Sequence, residues 1–111
     1  MQDFQSLCQL RRSYRKYTDQ PVEQEKLDYI IRCALMSPAG KRMNPWHFVV
    51  IKNEAILRQL AGCRTYGSGM FDTAMAGIVV AADTSVIDTW QCDAAIAAQN
   101  IWLAAADQGL G

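Results

Sequence analysis

Thirteen residues run from Ala94 to Ala106, and seven of them are alanine. They fall inside a helix predicted over about Thr89 to Gln108, in which only Gln99 and Asn100 interrupt the apolar run from 94 to 106. A helix that is apolar almost all round has no side to give to water, so it must be covered on several faces, in a core or between subunits. Alanine lets neighbouring backbones approach closely, which makes a subunit interface a reasonable destination. The run is too short and too polar to cross a bilayer. Gly109 stands where a left-handed C′ cap would end the helix.

The other elements follow from periodicity and punctuation. Phe4 to Leu10 predicts a short amphipathic helix with Phe4, Leu7 and Cys8 on one face. Gln24 to Met36 predicts the clearest helix, because Leu27, Ile30, Ile31, Ala34 and Leu35 recur at i, i+3, i+4, i+7 and i+8. Val22 and Leu27 have the spacing of a hydrophobic staple across its start, and Pro38 cannot continue it. Ser37 to Pro45 reads as a loop. Trp46 to Ile51 and Gly77 to Ala82 are apolar runs expected as buried strands, the first of them central in its sheet. Glu54 to Ala61 predicts a helix. Gly62 to Gly69, with three glycines, predicts a flexible loop with a short helix possible from Met70.

Length and charge narrow the classes. A chain of 111 residues allows one compact domain, residues 1–111, and 50% hydrophobic content argues against disorder. Eleven basic and eleven acidic groups leave no global footprint of a nucleic-acid binder. Cys8, Cys33, Cys63 and Cys92 show no CxxC spacing, and His47 is the only histidine, so no metal set is expected. Reduced thiols in a cytoplasmic protein are the expected state. Residues 1–17 hold no apolar run of signal-peptide length.

The charge is unevenly placed. Arg11, Arg12, Arg15 and Lys16 lie within six residues, leaving seven basic against eleven acidic groups elsewhere. A guanidinium fork binds phosphate at two points, and Ser13 adds a hydroxyl donor. On composition alone, a solvated helix end is the ordinary reading of such a cluster. In the loop from Ser37 to Trp46, small residues and Gly40 allow a ligand near the backbone, while Arg42 and Asn44 can bond its polar edge. An ordinary helix-to-strand connection fits the same residues. Gly67-Ser68-Gly69 is no dinucleotide fingerprint and reads as a surface loop. Asp93, Gln99 and Asn100 need partners inside an apolar helix and are expected to tie it to adjacent backbone. With one histidine and no GxSxG, no nucleophile triad is supported.

Taken in order, three segments resemble the FMN-dependent nitroreductase family. Arg11-Arg12-Ser13-Tyr14-Arg15-Lys16-Tyr17 is similar to its RRSxRxF signature. Ser37-Pro38 through Pro45-Trp46-His47-Phe48-Val49-Val50 is similar to its APSxxNxQPWxFvvv segment, departing from it at Ala39, Arg42 and Asn44. Ala95 to Gly111 is similar to its central helix and the GLG that closes it.

The resemblance implies an α+β, three-layer fold: a mostly antiparallel central sheet flanked by helices, in an intertwined homodimer with two FMN sites at the interface. It implies that Arg11, Arg12 and Ser13 hold the FMN phosphate and ribityl chain, with Arg15 near the pyrimidine edge of the ring. The loop residues Pro38, Ala39, Gly40, Arg42 and Asn44 would reach the same flavin from the partner subunit. The implied activity is NAD(P)H-dependent reduction of nitroaromatics, quinones or similar acceptors by ping-pong hydride transfer. No residue of the chain acts as a catalyst in that reading, because the flavin carries the chemistry. A dehalogenating or flavin-fragmenting relative, a non-catalytic flavin binder and a small phosphate-binding module are the alternatives. The resemblance also implies that these residues are roughly the family's first two-thirds. A chain ending at Gly111 would then leave apolar helix surface exposed.

Overall fold

The computed structural model describes residues 3–111, which form four α-helices and two strands. They are α1 (Phe4–Leu10), α2 (Gln24–Leu35), β1 (Trp46–Ile51), α3 (Glu54–Ala61), β2 (Gly77–Ala82) and α4 (Trp90–Asp107). Short 3-10 turns occupy Gly40–Arg42 and Gly69–Asp72. The α+β class and every predicted helix and strand are present, with boundaries within two residues of those read from the sequence.

Local chemistry explains most of the ends. Asp3 caps α1 by accepting the Ser6 N–H at 2.9 Å, and Asn53 caps α3 by accepting the Ile56 N–H at 3.1 Å. Glu23 is the N-cap of α2, so Val22 and Leu27 occupy the two staple positions. At the other end of α4, Gly109 has φ +75. The Gly109 N–H donates to the Ala106 carbonyl at 3.0 Å and the Leu110 N–H to Ala105 at 2.9 Å. Those two bonds form a Schellman cap.

Helix α4 is the axis of the molecule. Leu27, Ile30 and Ala34 of α2 are buried, and α2 packs along α4, where Ala97, Ala104 and Ala106 are buried in turn. Both strands and α1 also touch α4. A stripe of its surface nevertheless stays open: Cys92, Ala95, Ile96, Gln99 and Trp102 are exposed along one side. Covering on several faces is therefore realised on some sides of the helix and not on all.

β1 and β2 pair antiparallel, with Trp46 opposite Ala82 and Ile51 opposite Gly77. The expectation of two buried strands, one of them central, needs correction. Among the described residues the sheet has two strands, so each has an open edge, and Val49, Val50 and Val79 are all exposed. An apolar run records that both faces suit burial; it does not supply the elements that would cover them. At the end of β2, Gly77 lets α3 close in: a Cβ there would sit 3.1 Å from both Leu57 and the Phe71 ring.

Candidate functional site

Between α1 and α2 the chain runs without regular structure from Arg11 to Glu23. This arm forms one wall of a cleft of about 750 Å³. The start of α2, residues 70, 71 and 74–78, and the last turns of α4 with its cap complete the lining. The size is in the range of pockets for drug-sized ligands. Tyr14, Tyr17, Phe71 and Trp102 contribute aromatic rings, and Arg11, Arg12, Lys16 and Lys26 contribute cations.

The arm's cations are held without being neutralised. Arg11 lies over the Trp102 ring, 4.3 Å from its centroid. A guanidinium stacked on a ring face keeps its N–H edge available for an anion. Lys26 pairs with Glu23 at 3.7 Å. Among the described residues, Arg11, Arg12, Arg15 and Lys16 form no ion pair with a carboxylate. Burial pushes the Tyr17 phenol above its ordinary pKa, against the opposing pull of Arg15.

Of the arm residues singled out from the sequence, the cleft takes Arg11 and Arg12. Ser13 and Arg15 are exposed and do not line it, and Arg15 donates to the Ser13 carbonyl at 3.4 Å. The second predicted segment is elsewhere. None of Pro38, Ala39, Gly40, Arg42 and Asn44 touches the cleft. That loop lies against the first turn of α4, where the buried Asp93 carboxylate accepts the Gly40 N–H and the Thr89 hydroxyl, each at 3.1 Å. A Cβ on Gly40 would run into Thr89 Oγ1. Asn100 donates to the buried Ser37 hydroxyl at 2.8 Å. Asp93 thus ties α4 to backbone as expected, whereas Asn100 reaches a side chain and Gln99 is exposed on the open side of the helix. Asp93 and Trp102 are separated by about 14 Å along a helix rising 1.5 Å per residue. Within one chain, Gly40 meets the first turn of α4 and Arg11 meets Trp102, while Ser37 reaches Asn100 between them.

The loop is also conformationally unusual. Lys41, Arg42 and Asn44 have φ of 51, 57 and 47, the left-handed region that non-glycine residues seldom adopt. Pro45, next in the chain, is fully buried, and the buried Trp46 Nε1 has no hydrogen-bond partner among the described residues.

Sequence reasoning missed the aromatic wall. Trp102 and Phe71 have the composition of core residues, and only their helical phase and proximity distinguish them as lining. The glycine-rich segment from Gly62 to Gly69 is a loop as expected, with one tie to the body of the fold. Its buried Ser68 donates to the Ala61 carbonyl at 2.8 Å, which ties the turn to the end of α3. The four cysteines are free. Among the described residues, no group of three or more His, Cys, Asp and Glu side chains is gathered to hold a metal. No helix there is long and apolar enough to cross a membrane.

Comparison with known proteins adds a context to this geometry. Residues 9–63, which contain the arm and the loop, match the family model described as the nitroreductase family. A relative in Methanothermobacter thermautotrophicus is 39% identical over 104 residues, covering 91% of this chain and 54% of that protein. It carries the provisional name NADH dehydrogenase/NAD(P)H nitroreductase. A solved FMN-dependent nitroreductase of Clostridium difficile superimposes with a TM-score of 0.91 at 43% identity, covering 95% of this chain and 61% of that one. A provisional nitroreductase of Desulfovibrio desulfuricans, solved in complex with FMN, matches with a TM-score of 0.83 at 26% identity, covering 97% and 64%. The chain therefore spans between about half and two-thirds of the length of these proteins.

Proposed function

Because the chain belongs to the nitroreductase family, we propose that it serves an oxidoreductase that holds FMN with its arginine arm and uses NAD(P)H to reduce a small aromatic or quinone acceptor. The observation that carries this reading is the cleft itself. Two unpaired guanidinium groups and Lys16 meet four aromatic rings in one cavity of about 750 Å³. A flavin nucleotide has the matching halves, a dianionic phosphate and a broad planar ring. The donor set fits the group.

In this reading Arg11 and Arg12 bind the phosphate by charge-assisted hydrogen bonds. Ser13 and Arg15 stand outside the cleft lining in this chain and would turn inward on binding, Ser13 to add a neutral donor along the ribityl chain and Arg15 to hold the pyrimidine edge, where a cation favours the electron-rich form of the ring. Tyr14, Tyr17, Phe71 and Trp102 exclude water from the ring face. Bound FMN supplies the hydride chemistry, so the chain needs no acid–base pair of its own.

The loop Pro38, Ala39, Gly40, Arg42 and Asn44 completes a flavin site on a second copy of the chain. The bond of Gly40 to Asp93 in the first turn of α4, and the absence of these five residues from the cleft lining, support that division. The exposed α4 stripe of Cys92, Ala95, Ile96, Gln99 and Trp102 gives a homodimer partner an apolar surface to cover.

Visible spectroscopy tests the proposal directly. The purified protein mixed with FMN should show a bound-flavin spectrum that NADH or NADPH bleaches and a quinone or nitroaromatic restores. Arg11→Ala should weaken FMN binding by about tenfold or more. A protein that neither carries nor takes up FMN overturns the reading.

A further inference from the structure

The arm that carries the phosphate-binding cations has almost nothing holding its backbone. From Arg12 to Val22, among the described residues, one hydrogen bond links the arm's backbone to another element. The Tyr17 N–H donates to Thr73 Oγ1 at 3.0 Å, across 56 residues of sequence. The other bonds of the arm close on itself: the Tyr17 hydroxyl donates to the Tyr14 carbonyl at 2.9 Å, and Arg15 donates to Ser13.

Thr73 is itself unusually well fixed. It follows the 3-10 turn Gly69–Asp72, and its N–H donates to the Met70 carbonyl at 3.3 Å. On either side of it, the Phe71 and Ala74 carbonyls each accept Arg58 Nη1 at 2.8 Å. One guanidinium on α3 therefore clamps the backbone both before and after Thr73. The Thr73 hydroxyl directs its own proton toward the Met70 carbonyl at 3.5 Å. That leaves a lone pair facing Tyr17.

We propose that Thr73 is a positioning residue for the flavin phosphate: its hydroxyl, on backbone that Arg58 clamps, fixes the backbone of Tyr17 and thereby sets where Arg12 and Lys16 stand over the cleft. The inference rests on the flavin reading above. Arg11 anchors one end of the arm on Trp102, and Thr73 anchors the other. An arm tied at both ends presents its cations without first losing chain entropy. An arm tied only at Arg11 must order itself on binding, which lowers apparent affinity by the fraction of time it is out of place.

The test uses Thr73→Val, which keeps the shape and removes the acceptor, and Thr73→Ser, which restores the hydroxyl. Three quantities are measured on folded protein: hydrogen exchange of the Tyr17 amide without flavin, FMN affinity, and affinity for riboflavin, which lacks the phosphate. Thr73→Val should speed exchange at Tyr17 by about tenfold and weaken FMN by about tenfold, the scale of one hydrogen bond. Riboflavin affinity should stay within about twofold, and Thr73→Ser should recover both losses. Unchanged exchange at Tyr17, or equal losses for FMN and riboflavin, overturns the proposal. If Arg11→Ala loses FMN while Thr73→Val does not, the flavin reading stands and the role of Thr73 falls. If neither variant affects FMN, the assignment of the arm fails along with it.

Discussion

Residues 11–17 and residues 37–45 are both irregular, both carry cations, and both lie against α4. Their supports differ in kind. The loop is pinned to the interior at a few points: Ser37, Pro45 and its partner Asp93 are buried, while Pro38 and the stretch from Lys41 to Asn44, with its three left-handed residues, are exposed. Each such residue costs on the order of 1 kcal/mol or more, so the surrounding bonds must hold it. The arm is laid on the surface. Arg11 rests on a half-open tryptophan ring, and a single backbone bond ties the other end. A loop that offers backbone to a ligand gains from rigidity. An arm that offers charge needs its anchor only to keep the cations in reach.

That contrast predicts unequal costs when the supports are cut. Asp93→Ala removes the buried acceptor that the half-buried Gly40 N–H and the Thr89 hydroxyl share, and should destabilise the fold by about 1.5–3 kcal/mol in urea titration. Asn100→Ala removes the donor to Ser37 and should cost about 1–2 kcal/mol. Trp102→Leu withdraws the ring from Arg11 and should cost no more than about 1 kcal/mol, the scale of an exposed cation–π contact. The order is the prediction. If Trp102→Leu destabilises more than Asp93→Ala, the loop is not the built-in element and the comparison inverts.

The same contrast explains what the sequence could reveal. The helices and strands were legible because their signals are local: the 3, 4 spacing of Leu27, Ile30 and Ala34, and the glycine at position 109. Arg11 and Arg12 were legible because the charge density of the arm is a property of neighbouring residues. The loop's character was not. Asn44 is of a type that visits the left-handed region, but nothing in Lys41 or Arg42 announces it, and Gly40 is required by Thr89, 49 positions away in the chain. Thr73 was equally hidden, since its value lies in partners at Arg58 and Tyr17. Exposure of the strands was missed for a related reason. The register of β1 with β2 decides which valines share a face, but the residues that would cover that face are not specified by the strands themselves. Long-range pairing escapes residue patterns because the chain separation carries no periodic trace.

The smallest expected effect lies at the end of α4 nearest the arm, and it separates packing of that end from anchoring of the arm. Tyr29 of α2 donates its hydroxyl to Asp107 at 2.6 Å, and this bond, with burial, pushes the phenol pKa up to about 12 from an ordinary 10. A raised folded-state pKa means the neutral phenol is the stabilised form. The contribution is therefore complete below pH 10 and is lost as pH rises toward about 12. Tyr29→Phe should lower stability by no more than about 1 kcal/mol at neutral pH, because the site is only half-buried. The gap between the two proteins should close above pH 10. Because Tyr29 does not touch the arm's backbone, the variant should leave exchange at the Tyr17 amide unchanged. A pH-independent gap would remove the phenol–carboxylate bond from the account of α4. Faster exchange at Tyr17 would show that the arm depends on how α4 ends, and that its two anchors are not its only support.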